Sequence, residues 1–287
     1  MKLKYVLIIL ITLIVIWPVY WMVQGSFQDH WGVFTIPSAF IPQGLHVRNY
    51  IGILGLKQTD QDGVPVKNPF SVLRWCFNTV QVIMAKAAIT LIIVAPAGMA
   101  FALYKFHGKK VLFWLFLSTI MIPGNSILIG KFIVTRAIGL SDTLLAAIVP
   151  VCFNAVGTFL FRTFVEEIPT EILDQARVDG AGELRILGRV IMPLCVPVIG
   201  VILLFMTLGT LNNYLWQSIV LQRMEIKTLL VGMVVQMQSL ALLFAQDIDP
   251  LGLRLAAGTV LLIPSMLLFI FFNKRFIKEL NLGALIK

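Results

Sequence analysis

Long apolar runs separated by short polar stretches dominate the chain, and one of those polar stretches is far denser in charge than the rest. A bilayer core takes about 20 apolar residues per helix. Windows of that length pick out six runs: Lys4 to Val23, Thr79 to Tyr104, Val111 to Val134, Thr143 to Phe161, Leu194 to Val220, and Leu253 to Phe272. Each is predicted to be a transmembrane helix, and six spans put both termini on one side. Between the fourth and fifth runs lies a polar island carrying Glu166, Glu167, Glu171, Asp174, Arg177, Asp179, Glu183, Arg185 and Arg189. Each such charge costs several kcal/mol at membrane depth. The island is therefore predicted to be an exposed loop where the protein meets something soluble.

Composition agrees with the pattern. Hydrophobic residues make up 59% of the chain and charged residues only 13%, against about 25% charged in soluble domains, so the expected class is an all-α integral membrane protein. A net charge of +9 would suit nucleic acid, but the basic residues are dispersed at the ends of apolar runs and form no stripe. No nucleic-acid partner is expected. Cys76, Cys152 and Cys195 are far apart, without a CxxC or metal-ligand spacing, and are expected to be free thiols.

The first run follows Lys2 and Lys4 as a signal peptide would, but ends in Trp17-Pro18-Val19-Tyr20-Trp21 with no small-residue cleavage site. It reads as a retained helix with an aromatic belt at its far end. Lys105, Lys109 and Lys110 crowd one tight turn, and Lys274, Arg275 and Lys278 follow the last span. By the positive-inside rule these loops, both termini and the island are cytoplasmic. The outer side then holds Gln24 to Asn78 and Leu221 to Arg254, neither expected to be an independent domain.

Within the island, Pro169 and Thr170 are helix-start signals, and Gly180-Ala181-Gly182 is a stop followed by a restart. Two short helices joined by a glycine turn are predicted. In the second, Leu184, Leu187 and Ile191 recur at helical spacing, with Arg185 and Arg189 to one side. A DNA-binding helix-turn-helix fails on place, since the second helix runs directly into Met192-Pro193 and an apolar span.

Asp174-Gln175-Ala176, three residues, Gly180, nine residues, Val190, one residue, Met192-Pro193 resembles the EAA loop of ABC importer permeases. That pattern is Glu-Ala-Ala, three residues, Gly, nine residues, Ile, one residue, Leu-Pro. The spacing fits throughout, and Asp174, Gln175, Val190 and Met192 depart in residue type. Nearly the whole chain is similar to the second permease subunit of carbohydrate importers, the group of the maltose transporter's smaller permease. Local matches are Ser26-Phe27, Asn49-Tyr50, Asn78-Thr79, Met121-Ile122-Pro123, Val178-Asp179-Gly180-Ala181, Asn212-Asn213-Tyr214-Leu215-Trp216 and the tail Phe276 to Lys287 with Gly283 and Ala284. Polyamine permeases tend to have Leu-Gly-Ala where this chain has Asp179-Gly180-Ala181, which favours a sugar.

The resemblance implies a type I ABC importer permease (MetI-like) fold, with residues 1–78 as the first helix and extracytoplasmic segment and 79–287 as a five-helix core bearing the EAA coupling loop 166–193. It implies three kinds of protein partner: a second permease subunit, a cytoplasmic ABC ATPase dimer and an extracytoplasmic solute-binding protein. A carbohydrate is the implied substrate, with a polyamine or glycerol phosphate as the alternative. The implied setting is a bacterial cell membrane, with lipid around the spans. Implied ATPase contacts are Asp174, Ala176, Asp179 and Gly180, with Glu171, Arg177 and Glu183 as charged partners. The chain has no Walker motif, so no cofactor is expected on it and ATP belongs to the partner ATPase.

A sugar path needs amides, hydroxyls and aromatic faces. Asn154 in the fourth span and Asn212, Asn213, Tyr214, Trp216 and Gln217 in the fifth supply them, although buried amides often only bridge helices. Lys86 is the one plainly intramembrane charge, expected one turn into its span and able to snorkel. Pro96 and Pro123 interrupt spans. A proton- or sodium-driven transporter would place Asp, Glu or His mid-membrane, and the spans hold none. An intramembrane enzyme is excluded because there is no HExxH, no nucleophile elbow and no His or Cys cluster, with His30, His46 and His107 in loops. No charged ring suggests a channel.

Overall fold

The computed structural model describes residues 2–28, 47–54, 58–59, 65–66, 72–243 and 250–283. Apart from a two-residue antiparallel pair, Gln58–Thr59 with Pro65–Val66, the described elements are helices. They form two compact units, Met1–Phe77 with Lys227–Met266, and Asn78–Ile226 with Leu267–Lys287.

The first unit begins with α1 (Lys2–Ser26). From Lys4 to Tyr20 this helix is exposed, as a helix clad in lipid is. Its far end meets α2 (Arg48–Leu54) through two of the sequence matches. Ser26 Oγ lies 2.6 Å from the Tyr50 hydroxyl, the Phe27 and Tyr50 rings are 4.9 Å apart, and Asn49 Nδ2 donates to the Ser26 carbonyl at 3.1 Å. Ser26-Phe27 and Asn49-Tyr50 are thus one joint. The start of α3 (Val72–Leu103) brings Trp75 into a core with Ile53, Met233, Leu253, Ala256 and Ala257.

Four of those core residues come from helices at the other end of the chain: Met233 from α12 (Leu229–Leu243) and Leu253, Ala256 and Ala257 from α13 (Pro250–Gly283). The segment Leu221 to Arg254, expected to hold no span, contains α12 and the start of α13. The α12 helix has 15 residues, too short for a spanning window, yet Leu229, Val231, Met233 and Gln236 are buried. Gln236 Nε2 donates to the Gly52 carbonyl at 3.0 Å. Most of the outer segment Gln24 to Asn78 lies outside the described residues, as do His30, His46 and Ala284.

The second unit runs from α3 through α4 (Lys109–Ser118), α5 (Leu128–Ala137), α6 (Leu144–Ile148), α7 (Ala155–Glu166), α8 (Thr170–Val178), α9 (Glu183–Leu194), α10 (Val196–Leu211) and α11 (Tyr214–Val220). Its larger core joins Val94, Ala95 and Met99 of α3 to Phe161 and Val165 of α7, Leu173 of α8, Ile186, Leu187 and Ile191 of α9, and Val198 and Ile202 of α10. Close approach depends on Gly98, where a Cβ would sit 2.8 Å from the Phe161 ring and 3.1 Å from the Arg162 backbone nitrogen. Small residues let membrane helices approach in this way.

Three of the six expected spans are not single straight helices. The third run divides into α4 and α5, each of 10 residues, around Ile122-Pro123-Gly124. The fourth bends by 51° before α7, and the fifth bends by 81° between α9 and α10. Long, apolar helices suited to crossing a bilayer are α1, α3 and the Leu251–Ile270 part of α13. At the 51° bend, Asn154 has extended backbone and its Oδ1 accepts from the Gly157 amide at 2.7 Å, capping α7. The 81° bend falls at Cys195 between Pro193 and Pro197, where prolines remove helix-continuing donors. Pro96, by contrast, lies inside an unbroken α3. The three cysteines are free thiols, Cys152 and Cys195 buried.

Candidate functional site

The polar island folds as the two predicted helices, α8 and the start of α9, held on the core by their apolar sides. Pro169 precedes α8, Glu171 stands in its first turn and Arg177 in its last, each charge matching the helix dipole. Leu173 is 1% exposed and anchors the helix. At its end the Gly180 amide donates to the Arg177 carbonyl and the Ala181 amide to the Ala176 carbonyl, both at 3.0 Å. With Gly180 at φ +79°, this is a Schellman ending, and the Ala176 and Ala181 methyls beneath it pack on the core. Gly180 is needed for its left-handed backbone. A Cβ added there meets nothing of this chain within 4 Å, so close approach inside the subunit is not the reason.

A polar chain ties the element to the end of α3. The Tyr104 hydroxyl donates to Glu183 Oε2 at 2.7 Å, Arg177 Nε to Glu183 Oε1 at 3.1 Å, and Arg177 Nη1 to Asp174 Oδ1 at 2.8 Å. The Tyr104 bond, followed by Arg177, holds the Glu183 carboxyl below its usual range, with partial burial opposing. Burial and then the hydrogen bond to Glu183 push Tyr104 up to about 12. Arg177, Asp174 and Glu183 therefore already have partners within the chain. For such half-exposed groups the Tyr104 bond contributes about 0.5–1 kcal/mol. Tyr104→Phe is expected to lower solute uptake roughly two- to fivefold without loss of the protein from the membrane; unchanged uptake would show that the link transmits nothing.

The outward side of the element differs from expectation. Leu184 is 83% exposed and does not pack with Leu187 and Ile191; Ile186, fully buried, takes that place. A π-helical turn over Leu187–Ile191 explains it, because wider winding rotates the buried face toward Ile186 and away from Leu184. Val178 is 87% exposed, and at about 100° per residue it lies on the side of α8 opposite Leu173. Val178 and Leu184 flank the exposed Asp179-Gly180 turn, and a shallow concavity there is lined by Gly180, Gly182, Glu183, Leu184 and Arg185. Sequence reasoning favoured the charges and missed these two apolar residues; the angle from Leu173 was the signal that would have found Val178.

The candidate path residues lie at two places, Asn154 at the start of α7 and the rest where α10 gives way to α11. Asn154 is spent on its cap. Trp216 is buried, its Nε1 donating to the Ala146 carbonyl at 3.0 Å. Gln217 is buried and donates to the Thr210 carbonyl at 2.8 Å. Asn212 is exposed and donates to the Leu208 carbonyl at 3.0 Å, while Asn213 and Tyr214 are half-buried at the start of α11. Lys86 is not near the end of its span: α3 begins at Val72, so Lys86 stands about 21 Å along the helix. It is 7% exposed, and its Nζ donates to Thr210 Oγ1 at 3.0 Å. Asn78 does not open the helix either; its Nδ2 donates to the Glu225 carbonyl at 2.8 Å. Outside the spans, Asp142, at φ 57°, clasps the stretch after α11. It accepts from the Gln222 and Arg223 amides and from Arg223 Nε at 2.7–3.1 Å. Burial opposes ionisation, but these bonds keep its carboxyl below the usual range.

Broken apolar helices thus carry a charged two-helix element that turns outward from the core. The chain matches the family described as binding-protein-dependent transport system inner membrane component over residues 87–281, and it belongs to that family. It is 31% identical to the arabinooligosaccharides transport system permease protein AraQ of Bacillus subtilis over 212 residues, 74% of this chain and 73% of that protein. It is 27% identical to the galactooligosaccharides transport system permease protein GanQ of the same organism, across 98% of this chain and 94% of the relative. The sn-glycerol-3-phosphate transport system permease protein UgpE of Brucella suis is 26% identical over 80% of this chain and 79% of the relative. Among solved structures, a bacterial ABC transporter involved in the import of the acidic polysaccharide alginate superposes with a TM-score of 0.77 at 20% identity, covering 96% of this chain and 95% of the other. That likeness shows the fold.

Proposed function

We propose that this chain forms half of the translocation pathway of an ATP-driven importer for a carbohydrate, beside a second permease subunit. Substrate comes from an extracytoplasmic solute-binding protein, and energy from a cytoplasmic ATPase dimer docked on the island. The names of the arabino- and galactooligosaccharide relatives support a sugar. A glycerol phosphate is the second reading, supported by the UgpE relatives. ATP is held by the partner and this chain performs no catalysis.

The observation that carries the reading is the build of the island. Leu173, Ile186 and Ile191 fix it to the core while Val178, Asp179, Gly180 and Leu184 face outward. A short element so anchored moves as a rigid body with the helices that flank it. Closure of the ATPases on ATP draws the two permeases' docking elements together and turns an inward-facing cavity outward. In this mechanism Asp174, Ala176, Asp179, Gly180 and the charged Glu171, Arg177 and Glu183 shape the docking element, and Val178 and Leu184 are its apolar anchors. Burying two such side chains contributes about 1.5–3 kcal/mol each. Val178→Asp with Leu184→Asp is expected to release the ATPase during purification while the second permease stays bound. Retention of the ATPase at normal stoichiometry would contradict this docking face.

A further inference from the structure

The third apolar run breaks at a depth where a bilayer offers no water. From Lys109, α4 rises about 15 Å, and the 3₁₀ turn Thr119–Met121 adds about 6 Å. The chain then leaves helical structure at Ile122 and re-enters it at Leu128. Exposed apolar side chains lie on both sides of this stretch, Leu112, Trp114 and Leu115 before it and Ile129, Ile133 and Val134 after it. The break is therefore inside the run and not at its edge. Every residue from Ile122 to Ile127 is exposed. The Ile122 amide donates to the Thr119 carbonyl, the Ser126 amide to the Pro123 carbonyl and the Leu128 amide to the Asn125 carbonyl. The Gly124 and Asn125 amides find no carbonyl among the described residues, and the side chains of Asn125 and Ser126 have no partner there either. Hydrocarbon cannot satisfy such groups, and irregular backbone at membrane depth occurs where protein buries it or water reaches it.

Interruptions of two other spans lie alongside. Phe116, in the last turn of α4, packs edge-on against Phe153 with ring centres 4.8 Å apart, and Phe153 precedes the Asn154 bend of the fourth run. On the far side of the break, Lys131 in the first turn of α5 lies 3.9 Å over the Trp216 ring in the first turn of α11. That contact adjoins the interruption of the fifth run at Asn212-Asn213. Discontinuous helices gathered in this way form solute sites in membrane transporters. Asn154, Asn212 and Gln217 spend their amides on the Gly157 amide and on the Leu208 and Thr210 carbonyls, whereas the break of the third run keeps its polar groups unspent. We infer that the segment from Ile122 to Ile127 lines a water-filled path through the importer. Asn125, Ser126 and the two bare amides present hydrogen-bonding groups to that path, a set suited to hydroxyl-rich solutes.

The inference rests on the permease reading. It is tested on the assembled importer, this chain with its second permease and ATPase, in lipid nanodiscs that leave both membrane faces open to solvent. Asn125→Cys and Ser126→Cys are each treated with a cationic, membrane-impermeant methanethiosulfonate, and modification is read site by site by mass spectrometry of the peptides. Lys105→Cys in the aqueous turn sets the fast limit. Leu13→Cys, exposed on α1, sets the rate of a thiol in lipid. Because the Asn125 and Ser126 side chains bond nothing in the described chain, both variants should assemble. Their thiols are expected to react about tenfold or more faster than that of Leu13→Cys, since the reagent needs a hydrated thiolate. Rates as slow as that of Leu13→Cys, in a complex that assembles and hydrolyses ATP, would place the break against the second permease or lipid. That result overturns the inference and leaves the permease reading standing. Failure of the unsubstituted chain to assemble with any ATPase contradicts the permease reading instead.

Discussion

Gly180→Val is expected to abolish transport, with uptake below about a tenth of wild type, while the protein remains in the membrane at normal levels. The backbone at Gly180 is left-handed, φ +79°, and a β-branched residue there is strained by about 1–3 kcal/mol. Relief comes only by undoing the ending of α8. That would free the Ala181 to Ala176 bond and the placement of Val178 and Asp179. Gly180→Asn is the informative companion, because asparagine tolerates the left-handed region. Since no atom of the chain lies within 4 Å of the added Cβ, Asn should keep about half of the uptake or more on the conformational account. Uptake of the valine variant at wild-type level would contradict the docking assignment.

Gly232→Val is expected to have the larger effect on folding. A Cβ at Gly232 would collide with Cδ2 of Trp75 and stand 2.5 Å from two more atoms of its indole. Trp75 is 1% exposed in the core of the first unit, so it has no free space to yield. Overpacking costs about 1–3 kcal/mol and occasionally more, and with a rigid ring in the way the variant should reach the membrane at a small fraction of the normal amount. Gly200→Ala, where nothing lies within 4 Å, is the matched control and should accumulate normally. Equal accumulation of both variants would show that α12 does not pack on Trp75 as described.

These two glycines also mark how far the amino-acid sequence could be read. Gly180 was legible: the island's charges, its glycine turn and its spacing to Met192-Pro193 depend on local chemistry and on a pattern of neighbours. Gly232 was not, because α12 is shorter than a spanning window and its partner Trp75 is more than 150 residues away in sequence. The bends were hidden for a related reason. Hydropathy is blind to direction, and an apolar run continues through Asn154 and Cys195 whether or not the helix axis turns by 51° or 81°. Leu184 was misplaced because a period of 3.6 was assumed across a stretch that winds as a π-helix. Candidate path residues such as Trp216 and Gln217 were chosen by chemical type; type cannot reveal that the Ala146 and Thr210 carbonyls already occupy their donors.

The most direct test of the account is to tag this chain, purify it gently from its native membrane and identify what accompanies it by mass spectrometry. The account predicts a second permease and a Walker-motif ATPase in stable association, with the ATPase lost from the Val178→Asp, Leu184→Asp variant. Recovery of a homo-oligomer with no ATPase would contradict it.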